Sequence, residues 1–295
     1  MGNPMQVILH AGAHKTDEDR LIKCLLRNRD DFRRRGIAVP GPSRYRRLIR
    51  DTLHAMAQGQ LAPDARNILL DSILEDDQPE RVLLSNDNFF CVPKLAVGKG
   101  VFYPRAEIKL AQIRDLFQGD QVELFLAIRD PATFLPAVFG ASPDTAFADF
   151  IDGSDPRDLR WSELIARIRT HLPQMPVTVW CNEDTPLIWA QLIREMAALE
   201  HNEKIVGGFD LLSEIMSKAG MKRFRAYLKE HPNMNEIQKR RVISAFLDKF
   251  AIEEQIEEEL DLPGWTEELV DELSGGYDED VYRIGRMQGV TLIAP

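Results

Sequence analysis

Four short apolar runs divide the first two thirds of the chain, and longer segments with helical periodicity separate them. The runs cover residues 7–9, 82–84, 122–128 and 177–180 and are rich in β-branched and aliphatic side chains. Such runs are typical of strands that are buried on both faces of a parallel sheet. Their alternation with helices predicts an α/β protein, a three-layer α/β/α sandwich with a mainly parallel sheet, whose ligand site lies at the carboxyl ends of the strands.

A helix is predicted directly after the first run, over residues 17–36. Its apolar face is formed by Leu21, Cys24, Leu25 and Phe32, and Gly36 ends it. Further helices are predicted around residues 62–76, 105–117, 157–171, 185–199 and 210–230.

The chain after about residue 210 has helical patterning and no convincing strand. One segment of it, "NEIQKRRVISAFLDKF", places the following apolar residues near one face: Ile237, Val242, Ala245, Phe246 and Phe250. No linker, repeat or low-complexity stretch precedes this part. We therefore expect residues 1–295 to form a single domain, with 210–295 as a helical extension packed on the core.

Composition narrows the class of protein. The chain has 295 residues, of which 44% are hydrophobic and 28% charged, which is ordinary for a globular domain. No stretch is apolar for long enough to span a bilayer, and the first apolar run is too short for a secretory signal. The three cysteines have no metal-type spacing, so free thiols in a reducing compartment are expected. These features predict a cytoplasmic protein without an integral membrane segment, and they leave its oligomeric state open.

The formal net charge of −10 argues against general nucleic-acid binding. Arginines nevertheless cluster within residues 27–35 and again within residues 44–50. Two interpretations stand side by side. The clusters are either solvated helix faces or a basic rim that attracts an anionic ligand.

The stretch "HAGAHKTDEDRL", residues 10–21, joins the first predicted strand to the first predicted helix. A glycine and a Lys-Thr pair at this place, Gly12 and Lys15-Thr16, are suited to a phosphate. The GxxxxGK[ST] pattern of nucleotide P-loops fails, because Leu9 and His14 stand where it needs glycine. The alternative is an ordinary strand-to-helix turn that Thr16 or Asp17 caps.

A second group of candidates follows two other predicted strands. Arg129 ends the third apolar run, and its guanidinium is suited to bidentate contact with a phosphate; the alternative is an ion pair with a structural carboxylate. Asp87 follows the second run and is a candidate general base, as is His14 inside the loop. Turn formation is the alternative for Asp87. The remaining histidines have no ligand spacing, so no metal site is predicted.

Several motifs together resemble a bacterial sulfotransferase-like family. "GAHKT" resembles the start of the GxxKTGTT loop that holds the activated sulfate donor PAPS, and "RDP" at 129–131 resembles the motif for its second phosphate. "SND" at 85–87 lies near where the family often carries Ser-x-Glu. The closing segment 262–293 is similar to a family tail in which a terminal GV strand follows a helix. The resemblance implies a P-loop NTPase/sulfotransferase-like fold.

The same resemblance implies roles for individual residues. Lys15 would meet the phosphosulfate of PAPS, Gly12 and Thr16 would cradle it, and Arg129 would hold the second phosphate. Asp87 or His14 would take a proton from a hydroxyl or amine acceptor on a sugar, lipid or small metabolite. The in-line displacement needs no metal.

The departures from the family pattern fall on the donor site. Asp17, Glu18 and Asp19 replace Gly-Thr-Thr, and Ala137 replaces a serine. A carboxylate about 4 Å from a phosphate costs about 1 kcal/mol in water and about 4 kcal/mol at an effective dielectric constant of about 20, unless it points away. Two hypotheses follow: a PAPS-dependent sulfotransferase, or an inactive binding or scaffold protein of the same fold. A small-molecule kinase or NTPase is a weaker third, because a Walker A loop is absent.

Overall fold

The computed structural model describes residues 4–59, 62, 64–74, 78–144, 146–256 and 262–295. Its strands are β1 (Gln6–His10), β2 (Ile37–Ala38), β3 (Arg81–Ser85), β4 (Val97–Gly98), β5 (Val101–Phe102), β6 (Gln121–Ile128), β7 (Val177–Cys181) and β8 (Val290–Ile293). Six of them form a parallel sheet in the order β2-β3-β1-β6-β7-β8, while β4 and β5 form an antiparallel pair. Each of the four predicted strands is confirmed, and the fold is α/β with a parallel sheet.

The described residues form helices of very different length. They are α1 (Arg20–Arg27), α2 (Arg29–Arg34), α3 (Pro42–Ala57), α4 (Ala65–Leu74), α5 (Ala106–Leu116), α6 (Pro131–Phe139), α7 (Phe147–Phe150), α8 (Trp161–His171), α9 (Thr185–Met196), α10 (Asp210–Ile215), α11 (Lys218–Glu230), α12 (Glu236–Phe250) and α13 (Glu267–Ile284).

Both faces of the sheet are covered, because successive side chains of a strand point to opposite sides. Val7 and Leu9 belong to an apolar cluster with residues of α3, α5, α6 and α8. Ile8, between them, belongs to a second cluster with residues of α1, α2 and α9. Helices therefore pack on the two faces, which is the layering of an α/β/α sandwich.

The order of the strands creates a crevice at the carboxyl end of β1. The chain leaves β1 toward β2 and β3 on one side and leaves β6 toward β7 on the other, so the connections diverge between β1 and β6. In parallel sheets such a point is where ligands bind. The register places His10 beside Ser85 and Phe125, so the segments that follow β1, β3 and β6 meet there.

Several helix boundaries differ from the predictions. The helix predicted over residues 17–36 is two helices, α1 and α2, and Asn28 between them bonds to the backbone oxygens of Cys24 and Val206. The helix predicted over 210–230 is interrupted at Met216, which bridges to Ala251, and Ser217 caps the second part. Of the helix predicted at 62–76, residues 63, 75 and 76 lie outside the described residues. The sequence pattern did not predict α3 or β2. It also showed no convincing strand after residue 210, although the similarity of the tail to the family implied a terminal strand where β8 lies.

The C-terminal part contacts the sheet through α13 and β8. Tyr277 and Ile284 of α13 belong to the main apolar cluster, and β8 pairs with β7. Helices α10 to α12 share a smaller cluster around Phe224. A single domain over residues 1–295 stays a prediction. Within the described part of the chain, none of the helices combines the length and the apolar character needed to cross a membrane.

Candidate functional site

Residues 11–19 form the loop that follows β1, and its first three residues run alongside β6. The N–H groups of Ala11 and Ala13 donate to Phe125 and Ala127 at 3.1 and 2.8 Å, which continues the parallel pairing beyond β1. Gly12 has a φ of +91°, and a Cβ atom there would lie 3.1 Å from the backbone nitrogen of His14 and 3.4 Å from the Cα atom of Asp87. The loop therefore requires glycine at this position for both its conformation and its packing.

Residues of this loop line two cavities. The large cavity, about 690 Å³, is lined by Lys15, Thr16, Arg129 and Ala137 together with apolar residues of α9, α10 and α12. The small cavity, about 200 Å³, is lined by Gly12, His14, Lys15 and Asp87. The structure thus brings the predicted site residues together around one loop, and Lys15 lines both cavities.

Arg129 holds the loop from inside the protein. Its side chain is buried; Nη1 donates to the backbone oxygen of Lys15 at 2.6 Å and Nε donates to the hydroxyl of Thr133 at 2.9 Å. Lys15 itself is exposed and has a φ of +59°. The guanidinium therefore stabilises a loop conformation that a residue with a Cβ atom rarely adopts.

The start of α1 is occupied by a side chain of the chain itself. The Oδ1 atom of Asp17 accepts a hydrogen bond from the backbone N–H of Leu21 at 2.7 Å, and the hydroxyl of Thr16 donates to the backbone oxygen of Ala13 at 2.7 Å. Burial raises the pKa of Asp17 to about 7, although the bond from Leu21 acts in the opposite direction. A carboxyl group thus lies at a helix N-terminus, the place where helices favour an anion.

The other two acidic residues of the loop face cations outside it. Asp19 forms an ion pair with Arg46 at 2.5 Å, and this hydrogen-bonded pair lowers the pKa of Asp19. Glu18 lies 3.4 Å from Arg20, which also pairs with Glu214. Of these two carboxylates, Asp19 lines only the small cavity, whereas Glu18 lines both.

The arginine clusters are engaged by carboxylates. Their ion pairs are Arg27 with Asp210, Arg35 with Glu203 and Asp31, Arg34 with Asp31, Arg46 with Asp19, and Arg47 and Arg50 with Asp51. Most of these side chains are exposed, which is the arrangement of a solvated helix face.

His14 is buried and bonded at both ring nitrogens. Its Nε2 lies 3.1 Å from the backbone oxygen of Cys91, and its Nδ1 lies 2.9 Å from the hydroxyl of Tyr103, which also accepts the backbone N–H of His14. Because a carbonyl can only accept, Nε2 carries the hydrogen and Nδ1 accepts from Tyr103. Burial lowers the pKa of His14, so the ring is neutral and its proton is directed at Cys91.

Asp87 is the exposed member of the two predicted bases. The amide of Asn88 donates to its Oδ1 at 2.7 Å, and the neighbouring N–H of Asn86 donates to the backbone oxygen of His10. The bond from Asn86 to His10 fixes the segment after β3 beside the loop. The carboxylate of Asp87 therefore faces the small cavity with one oxygen bonded locally.

Sequence reasoning missed Glu183 and Arg46. Glu183 follows β7, lines the large cavity, accepts the N–H of Asp130 at 2.9 Å and contacts the hydroxyl of Tyr277 at 3.1 Å; burial raises its pKa. Its position directly after a predicted strand was a usable signal. Arg46 belongs to the arginine cluster at 44–50, but α3 was not predicted, so nothing singled out this arginine as the partner of Asp19.

Among the described residues, no group of three or more His, Cys, Asp or Glu side chains is arranged to hold a metal ion. Comparison of the chain with models of protein families gives no match, and comparison with curated proteins gives none either.

Proposed function

We propose that this chain is a sulfotransferase-like protein that binds a small ligand beside its loop and does not transfer sulfonate from PAPS. One observation carries the proposal: the carboxyl group of Asp17 accepts the N–H of Leu21 at the start of α1. The resemblance to sulfotransferases implies a phosphate at this place. The N–H of Leu21 that a phosphate oxygen would accept is already taken by Asp17, so this helix N-terminus has one donor fewer to offer to a second anion.

The other groups that PAPS would need are also engaged. The hydroxyl of Thr16 donates to Ala13, and two nitrogens of Arg129 donate to Lys15 and Thr133. Ala137 offers no hydroxyl to the large cavity. The residues around the loop therefore fit PAPS poorly, and we derive no transfer step through it.

The large cavity has the size and lining of a small-molecule site. Trp180, Trp189 and Ile215 supply apolar surface, while Lys15 and Glu183 supply charges of opposite sign. Its volume of about 690 Å³ lies within the usual range for ligand pockets. A small molecule, a carbohydrate or the head of a lipid fits this mixture better than a highly charged nucleotide does.

A PAPS-dependent sulfotransferase is the second candidate, and the position of Lys15 favours it. This lysine lines both cavities, and Asp87 lines the small one. A cation between a donor cavity and an acceptor cavity is what group transfer from a sulfate donor requires.

Calorimetric titration with PAP, the bisphosphate product of PAPS, separates the two candidates. We expect no binding by the wild type at millimolar PAP, and at least a hundredfold gain when Asp17→Gly, Glu18→Thr, Asp19→Thr and Ala137→Ser are combined, because repulsion is removed and hydroxyl bonds are added. Asp19→Thr alone is the matched control, since Asp19 pairs with Arg46 and we expect no gain from it.

Two results would contradict the proposal. Micromolar binding by the wild type that Lys15→Ala abolishes would favour the sulfotransferase. Failure of the combined variant to bind any better than the wild type would show that Asp17 is not what excludes the phosphate.

A further inference from the structure

A third cavity, of about 460 Å³, lies next to the two residues that bond to His14. Tyr103 and Cys91, which bond to His14, line it, yet among the described residues it shares no lining side chain with the large or the small cavity. Its lining combines apolar residues with Lys94, Lys99, Arg105 and Lys109, and we call it the basic cavity. We propose that the basic cavity binds an amphiphilic anion, an apolar chain or ring system that carries one acidic group.

The charged side chains that line the basic cavity favour the binding of an anion. In a chain of net charge −10, four cationic side chains meet here with three carboxylates, those of Asp144, Asp149 and Asp152. Lys94 is neutralised by Asp144 at 2.9 Å. Lys99, Arg105 and Lys109 form no ion pair with any residue in the described part of the chain.

Arg105 and Lys109 are the strongest pair for an acidic group. Arg105 directly precedes α5 as its N-cap residue, Lys109 lies in the first turn of that helix, and both side chains line the basic cavity. Burial and the nearby Arg105 both lower the pKa of Lys109. A bound anion would relieve this repulsion, and the guanidinium of Arg105 offers the paired donors that carboxylates and sulfonates favour.

The apolar part of the lining accounts for the rest of the ligand. Phe90, Val97 and Phe150 are buried, and Leu95 leaves 56% of its surface exposed at the cavity. The volume of about 460 Å³ is that of a site for a small ligand. An acyl chain or aromatic ring in the cavity would cover this apolar surface while its acidic group meets Arg105 and Lys109.

The test is a fluorescence titration of the full chain with anilinonaphthalene sulfonate, an aromatic probe with one acidic group. We expect one saturable site, from which decanoate displaces the probe and decyltrimethylammonium, a cation of equal chain length, does not. The double variant Arg105→Gln/Lys109→Gln should bind both anions, the probe and decanoate, at least tenfold more weakly. The control is the double variant Arg225→Gln/Lys229→Gln, which removes an exposed Arg–Lys pair of the same spacing on α11. It should change the affinity for either anion less than twofold.

A second pair of variants isolates charge from shape. Leu95→Asp and Leu95→Asn introduce side chains of nearly the same shape. Because Leu95 is exposed, both variants should keep the fold, and thermal unfolding checks this. We expect the Asp variant to bind decanoate at least fivefold more weakly than the Asn variant, because only its charge differs. Equal affinity of these two variants would overturn the proposal, as would competition by the cationic detergent or equal losses in the two double variants.

Discussion

The Oδ1 atom of Asp17 lies 2.7 Å from the backbone nitrogen of Leu21, whose N–H it accepts at the start of α1. A helix N-terminus ordinarily stabilises an ionised carboxylate. Burial outweighs that effect here and raises the pKa of Asp17 to about 7. The loop therefore changes its charge near neutral pH, which makes its electrostatics measurable.

Asp17→Asn is expected to stabilise the protein at high pH more than at low pH. The folded chain holds the Asp17 proton more tightly than the unfolded chain, whose pKa is near 3.8, so stability is lost as the pH rises from about 4 to about 7. Asparagine keeps the acceptor for Leu21 and removes this loss. Urea unfolding at about pH 5 and about pH 8 should give a gain that grows with pH, to at most about 4 kcal/mol. A gain that is the same at both pH values would contradict the raised pKa.

His10 has the opposite pH dependence. Burial lowers its pKa to about 4 from 6.5, so the unfolded chain takes up a proton first and stability is lost as the pH falls from 6.5 to about 4. His14, whose pKa burial also lowers, adds a loss of the same sign. We expect His10→Gln to reduce the loss of unfolding free energy between pH 6.5 and about pH 4 by at most about 3 kcal/mol.

The matched control for this measurement is the exposed His54→Gln. The quantity compared is the slope of unfolding free energy against pH, since His10 also stacks on Trp180 and its loss lowers stability at every pH. Equal slopes for the two variants would show that His10 does not carry the acid sensitivity.

The sheet was predictable because its inner strands are buried on both faces. Predominantly apolar runs marked β1, β3, β6 and β7, whereas β2 has only two residues and the edge strand β8 buries only Ile293. The arginines of α3 obscured its apolar pattern, so the helix was not predicted, although Tyr45, Ile49 and Leu53 recur at helical spacing and are buried. In α12, Ile237 was placed on the apolar face and is 60% exposed, while Ile243 is buried instead.

The position of the candidate site could be predicted from the sequence, but the hydrogen bonds and ion pairs within it could not. That the segments after β1, β3 and β6 meet follows from parallel strands. The orientation of each carboxylate does not, because it depends on partners distant in the chain. Asp19 is directed to Arg46 of α3, and His14 is held by Tyr103 and Cys91. No local pattern encodes these bonds.

Gly220→Ala and Gly275→Ala test how closely the C-terminal helices pack. A Cβ atom at Gly220 in α11 would lie 2.5 Å from the Cβ atom of Phe250, whereas one at Gly275 in α13 would meet nothing within 4 Å. We expect the first change to destabilise the protein by about 1–3 kcal/mol through overpacking. The second should stabilise it by up to about 1 kcal/mol, because alanine favours the helix. Urea unfolding measures both, and a gain from Gly220→Ala would contradict the close contact of α11 and α12.

Arg129→Lys tests whether the guanidinium holds the loop. Lysine keeps the charge, but its single ammonium group cannot reach both the backbone oxygen of Lys15 and the hydroxyl of Thr133, so we expect a loss of about 2–4 kcal/mol in unfolding free energy. Thr133→Val leaves the bond to Lys15 and should lose only about 1–2 kcal/mol. Hydrogen exchange adds a local readout: the amides of residues 12–17 should exchange faster in Arg129→Lys than in Thr133→Val. If the two variants lose equal stability and protect the loop equally, Arg129 acts through Thr133 alone, and the bond to Lys15 does not set the conformation of the loop.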